Sequence, residues 1–199
     1  IELALERVRA RTMAMQSSEE LADAAFVLFE QLRNLDGKLW GTGFGLCDEN
    51  LDTDEFWFAN ENGVFPPVVI PNTTDPAHKE MYQGWCKKVD FLTLEKSGKA
   101  LKQHYNYMLS IAEVRPFFQK ILDEGLQFPE KQQWNAAYFS KGYLLIITLE
   151  PYADVEILKR FANVFEQTYT RFLDLQKAEA QAREAQIEVE VTNFEKRQY

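Results

Sequence analysis

The chain is poor in the residues that build covalent or metal-stapled frameworks. Among its 199 residues there are two cysteines, Cys47 and Cys86, and two histidines, His78 and His104. Two cysteines do not make a disulfide framework, and these four residues stand at no short metal-ligand spacing. Positive charge is the second shortage: 22 Lys+Arg against 31 Asp+Glu leave a formal net charge of −9. Nucleic-acid binding needs Lys and Arg to replace phosphate counterions, so unassisted binding of DNA or RNA is not expected. The same deficit argues against an anionic membrane surface. Long hydrophobic runs are also missing. The longest strongly apolar stretch, Tyr143 to Leu149, falls far short of the roughly 20 residues of a membrane span.

Apolar and aromatic residues are plentiful. At 46% and 14% of the chain they suffice for a core, which sets the chain apart from disordered sequences. The length fits one domain of about 150 residues with helices to spare. Ala, Glu, Gln, Arg and Leu dominate both ends, and a Gly-, Pro- and aromatic-containing middle lies between them.

The N-terminal residues Ile1, Leu5, Val8, Thr12 and Met15 step by 4, 3, 4 and 3, the spacing of a coiled-coil seam. Ser17 and Glu20 match a capping box, opening a second helix over 19–35 that Asp36-Gly37 stops. Leu21, Ala25, Leu28, Phe29 and Leu32 give that helix one broad apolar face. Residues 38–47 read as a strand with Trp40, Thr42, Phe44 and Leu46 on one side and Gly41, Gly43 and Gly45 on the other. The glycines leave room for a helix or ligand; their G-x-G-x-G spacing is not that of a phosphate loop. A second strand covers 55–60, with Asn62-Gly63 as the turn after it and an extended segment over 64–70. Asp75 as N-cap and Pro76 at the first helical position announce a helix to about Lys87. A short edge strand is expected at 90–94 and a helix from Ser97 to Leu109. Ser110 and Glu113 form another capping-box match, and Gly125 is a C-cap. Residues 133–139 and 143–149 flank Ser140-Lys141-Gly142 as a hairpin; its non-alternating second run predicts a central strand covered on both faces. Asp154 caps a final helix whose Leu158, Phe161, Phe165, Thr168, Phe172 and Leu175 repeat the 3–4 stepping. Beyond Leu175 the seam shifts phase through Ala178, Ala182, Ala185 and Val189.

The expected architecture is α+β, with a central antiparallel sheet, helices packed on it and long coiled-coil-type helices at both ends. The expected divisions are an N-terminal linker or coiled-coil helix over 1–16, a central domain over 17–175 and a C-terminal helix over 176–199. Ile187-Glu188 echoes Ile1-Glu2, so the chain is expected to be one module of a tandem array or of a longer signalling chain.

No nucleophile–base pair stands at a mechanistic spacing, so neither a catalytic residue nor a metal ligand is assigned. A polar-aromatic set is the candidate ligand pocket: Trp40, Phe44, Trp57, His78, Tyr82, Trp85, His104, Tyr105, Trp134 and Tyr138. Pockets combine apolar and aromatic walls with a few polar groups; the rival reading makes these residues ordinary core and rim. His78, Tyr82 and Trp85 can share one face of the Pro76 helix. Leu5, Val8, Leu158, Phe161, Phe165, Phe172 and Leu175 are the expected seam of a homodimer.

The segments from Ala4 to Met15 and from Phe161 to Glu179 resemble the linker helices that flank GAF-like sensor modules in bacterial signalling proteins, upstream of histidine-kinase or nucleotide-cyclase domains. The middle is similar in element order, through Trp57 and the hairpin from Tyr138 to Leu149. The resemblance implies a cytoplasmic, dimeric, non-catalytic sensor with an α/β sandwich. It carries over no cofactor or ligand, and Cys86, in Gly84-Trp85-Cys86-Lys87, lacks the adjacent His of a chromophore-attachment motif. The alternatives are a structural dimerisation spacer without a ligand and a small enzyme using Cys86 and His104.

Overall fold

A computed structural model describes residues 1–36 and 38–197, with side chains for 1–35 and 38–192. The expected stop at Gly37 and the last two residues of the expected C-terminal segment lie outside the described residues. The elements run α1 (Glu2–Met13), a 3-10 turn (Ser18–Glu20), α2 (Leu21–Asp36), β1 (Leu39–Asp48), β2 (Thr53–Asn60), β3 (Gly63–Val64) and β4 (Val68–Pro71). There follow α3 (Pro76–Cys86), β5 (Phe91–Ser97), α4 (Gly98–Ser110), α5 (Arg115–Asp123), β6 (Lys131–Phe139), β7 (Gly142–Thr148) and α6 (Val155–Arg197).

The seven strands make one antiparallel sheet in the order β3-β2-β1-β7-β6-β5, with β4 also paired to β2. Every residue of β7 is buried, because it is central and both faces are covered. Leu144 and Ile146 face one core, and Tyr143, Leu145 and Ile147 face the other, the period of two that a pleated strand imposes. Helices α1, α2 and α6 cover the first face and α3, α4 and α5 the second. The layout is the mixed α/β sandwich with an antiparallel sheet that the sequence predicts. Among the described residues no helix is long and apolar enough to cross a membrane.

Local signals hold at most boundaries. Glu20 accepts from the backbone N–H groups of Gln16 and Ser17 at 2.8 and 3.3 Å, closing the expected capping box ahead of α2. Asp75 accepts from the N–H of His78 at 3.2 Å and Pro76 opens α3. Gly125 sits at φ +76° just past α5, where a residue with a Cβ is disfavoured. The edge strand β5 is longer than expected. At Ser110 the structure departs from the sequence reading: α4 runs through Ser110 and α5 starts at Arg115 with Pro116 in its first turn. Proline lacks the N–H that an interior helical position would donate, so it fixes the helix start downstream of the capping-box match.

The terminal helices need two corrections. Only the C-terminal one is long: α6 has 43 residues and α1 has 12. The residues expected on a dimer seam are spent inside the chain. Leu5, Val8, Leu158, Phe161, Phe165 and Phe172 are all buried in the first-face core, while Leu175 is 54% exposed. A 3–4 stepping marks a helix that buries one stripe, and here its own sheet and neighbouring helices do the burying. Phe165 stacks on Phe44 of β1 at 3.7 Å between ring centroids and on Tyr169 at 5.3 Å. Beyond residue 173, α6 is exposed along almost its whole described length.

Candidate functional site

The two sides of the sheet differ in what their strands present. On β1 the glycines face the second core and leave space for rings from neighbouring strands: a Cβ at Gly41 would collide with Phe58, and one at Gly45 with Tyr143. The expectation that the glycines make room for a helix or ligand is corrected accordingly. Trp40 also joins that second face, opposite Phe44. The cause is a register irregularity between Leu39 and Gly41 against β7, which inserts an unpaired residue and reverses the alternation.

Between the second face and α3, α4 and α5 lies a cavity with about 40 Å³ open to the centres of water-sized spheres. At roughly 10–15 Å³ per water on that measure, it takes about three water molecules or a comparably small ligand. Its walls are mostly aromatic and aliphatic, including Trp40, Phe56, Phe58, Phe65, Phe118 and Leu145. His78, His104, Tyr105, Gln132 and Trp134 supply the polar groups.

Asp75, His78 and His104 form the polar centre. All three are buried, and one potential ligand atom from each lies within 4.8 Å of the others. Asp75 Oδ2 serves two groups: it accepts the His78 backbone N–H and stands 3.1 Å from Nδ1 of His104. Burial raises the Asp75 pKa, but the His104 hydrogen bond and the charges of both histidines outweigh it, so the carboxyl sits below its usual range. Burial, reinforced by His104, drives His78 down to about 3, which keeps it neutral at physiological pH. The rings are clamped by aromatic edges. Trp134 meets His104 at 4.6 Å and 83°, and Phe56 meets His78 at 5.4 Å and 85°.

On residues that line this cavity, both ring nitrogens of His78 have no hydrogen-bond partner among the described residues. The Tyr105 hydroxyl and Gln132 Nε2 make no bond of good geometry either, although the Gln132 side chain lies near enough to the hydroxyl to act on it. Trp134 Nε1 donates to the other end of that amide, Gln132 Oε1, at 3.2 Å. Most buried polar groups in folded proteins are paired, so this concentration of unpaired atoms on residues around one cavity sets the second face apart from an ordinary core.

Of the ten expected pocket residues, Trp40, His78, His104, Tyr105 and Trp134 line this cavity. Phe44 and Trp57 belong to the opposite core, where strand alternation puts them. Tyr82 and Trp85 do not share the inward face of His78. Tyr82 donates to Asp52 at 3.3 Å and Trp85 Nε1 to the Ser140 carbonyl at 3.3 Å, both half-exposed. Tyr138 donates to the Met81 carbonyl at 2.8 Å, over Gly84. Trp85 and Tyr138 instead line an open groove that includes Cys86. Asp75 and Gln132 were missed as site residues. Asp75 is readable as a helix cap, but its approach to His104 spans 29 residues and leaves no local signal. Gln132 precedes the hairpin strand that was read from Gln133.

Neither cysteine joins the cavity. Cys86 is exposed, and Cys47 lies in a separate buried cluster where burial and Asp54 push its thiol up. There Tyr143 donates to Asp54 Oδ2 at 2.7 Å, and burial raises both groups above their usual ranges.

Fold and site together define an antiparallel α/β sandwich with a small, mostly apolar cavity edged by a few polar side chains on one side of the sheet and a long helix on the other. No family model matches the chain, and no curated protein matches it. Among solved structures it is similar to the phycoerythrobilin-bound GAF domain of a cyanobacterial phytochrome. The two share 13% identity at a TM-score of 0.44, over 85% of this chain and 96% of that one.

Proposed function

We propose that the chain is a non-catalytic sensory module of GAF-like type, which takes a small polar ligand in the cavity and relays its occupancy to α6. The observation that carries this reading is the unpaired His78 ring, with the poorly paired Tyr105 and Gln132 side chains, around one aromatic-walled space. A purely structural spacer would gain by pairing or losing them, because a buried group without a partner costs about 1–3 kcal/mol. The ligand is small, since the space is far below the 300–1,000 Å³ of drug-sized sites.

A route to α6 is supported by the sheet. Trp134, Leu145 and Ile147 wall the cavity, while Ala137, Phe139, Leu144 and Ile146 on the same two strands lie in the core that includes Leu158, Phe161 and Phe165 of α6. A shift of β6 or β7 therefore reaches both sides. The exposed end of α6, with Leu175, Ile187 and Val189 in solvent, is the natural output, either to a second copy or to an adjacent domain.

Hydrogen exchange of the whole chain against a panel of small polar ligands tests this reading. A ligand that protects α4 and β6 should also alter exchange in α6. Binding at the cavity with α6 exchange unchanged would remove the relay, and a panel without any binder that protects β6 would remove the ligand site.

A further inference from the structure

We infer that Asp75, His78 and His104 bind a divalent first-row transition ion as a two-histidine, one-carboxylate centre with an open position toward the cavity. The inference rests on the reading of the cavity as a ligand site and gives that ligand a chemistry. Imidazole nitrogen with carboxylate oxygen is a donor set suited to zinc, iron, nickel or copper rather than to calcium or magnesium. Three protein ligands with room for a fourth is the arrangement of a metal centre that exchanges an outside ligand.

Three features of the geometry support it. First, the spacing is close to what a metal requires. With bonds of about 2.0–2.1 Å, ligand atoms in a tetrahedral shell stand about 3.3 Å apart. Asp75 Oδ2 and His104 Nδ1 are 3.1 Å apart, in a hydrogen bond whose proton the ion would displace. The widest separation, within 4.8 Å, has at most about 1.5 Å to close to reach that spacing.

Second, one of the three donors stands free. His78 is 2% exposed, and both its nitrogens lack a partner among the described residues. Metal binding needs a neutral imidazole with a free lone pair. Asp75 supplies one negative charge to offset the ion in a buried setting.

Third, the surroundings suit a centre with an exchangeable position. Trp134 and Phe56 hold the two imidazoles by their edges. The Tyr105 hydroxyl and Gln132 side chain lie beside each other on the lining of the same cavity without a well-formed hydrogen bond, as partners for a metal-bound water or a ligand of a few atoms. One helix cap fixes the set locally, because Asp75 and His78 lie three residues apart at the start of α3, and α4 brings His104 against them.

The test uses the full chain after chelator treatment, with Co²⁺ and Zn²⁺ as probes. The expected result is one Co²⁺ per chain with visible ligand-field absorption, displaced by Zn²⁺. Because the chain has only two histidines, Zn²⁺ should shift the ring ¹⁵N signals of both in the unsubstituted protein. His78→Gln and His104→Gln should each weaken binding at least about 100-fold, beyond the 10–100-fold typical of outer-shell losses. Asp75→Asn keeps a side chain able to cap the helix and should weaken binding as well, while Cys86→Ser should leave it unchanged. If the histidine signals do not move, or if Co²⁺ binding survives loss of both histidines, the metal centre is wrong. A non-metal ligand that protects β6 while Zn²⁺ leaves the histidines unmoved would overturn the metal and keep the cavity reading. Zn²⁺ binding without any change in α6 exchange would keep the metal and overturn the relay.

Discussion

The two faces of the sheet solve different problems with the same strands. On the α1–α2–α6 face, aromatic rings close on one another, with Phe44, Phe165, Phe139 and Tyr169 in contact. On the α3–α4–α5 face, aromatic residues are as dense, yet they surround a cavity and leave buried donors and acceptors unpaired. The difference lies in sequence. The first face draws on Leu, Ala and Phe from long amphipathic helices, whereas the second draws His78, His104 and Tyr105 from helices that carry polar groups inward. One face is organised for stability and the other gives some stability up.

The largest effect that would sharpen this contrast comes from the packed face. Phe165→Ala should lower stability by about 3–5 kcal/mol, read as the loss of unfolding free energy in urea. A loss below about 1 kcal/mol would mean that the first face is not the tighter one.

Next in size is a pH response confined to the second face. His78 is held near 3 when folded, against about 6.5 when unfolded. Between those values the unfolded chain binds the extra proton, so stability rises with pH. It should therefore fall as pH drops from about 6.5 toward 3, by up to about 1.4 kcal/mol per unit for this one group. Asp75, held low, adds to the loss only below its ordinary range. His78→Phe should flatten the slope between pH 6.5 and 5 in chemical denaturation. An unchanged slope would place the titration elsewhere.

The smallest effect has the opposite sign. Tyr105→Phe removes a buried hydroxyl that makes no hydrogen bond of good geometry among the described residues, with only the Gln132 side chain near it, while the ring keeps its stacking on Phe128 at 4.1 Å. Stability should rise by about 1 kcal/mol, with a higher thermal midpoint. A fall of similar size would show that the hydroxyl is paired in solution and that the cavity holds less unmet polarity.

The same contrast explains which parts of the molecule are readable from sequence. Caps and turns are local, so Ser17-Glu20, Asp75-Pro76 and the hairpin at Ser140-Lys141 are legible. A 3–4 stepping reports that a stripe is buried and says nothing about what buries it. That is why Leu5, Phe161 and Phe165 read as a seam between chains and prove to be core. Side-chain alternation placed Trp40 beside Phe44 until a bulge, which leaves no mark in the residue pattern, turned it over. Half of the expected pocket set lines one cavity, because α3, α4 and the strands place His78, His104, Tyr105, Trp40 and Trp134 on the same side of the sheet. Asp75 reads only as a helix cap because its contact with His104 comes from another element, and Gln132 carries no local signal of the cavity it lines.

Helix α6 gives the module a mechanical scale. Its 43 residues at 1.5 Å each extend about 65 Å, and the 24 residues from Asp174 to Arg197, beyond the packed base, reach about 36 Å from it. A tilt of about 10° at the base would carry the far end sideways by about 6 Å over that reach, roughly half a helix diameter. Any small rotation at the packed base is thus multiplied along the lever arm before it reaches the far end of α6.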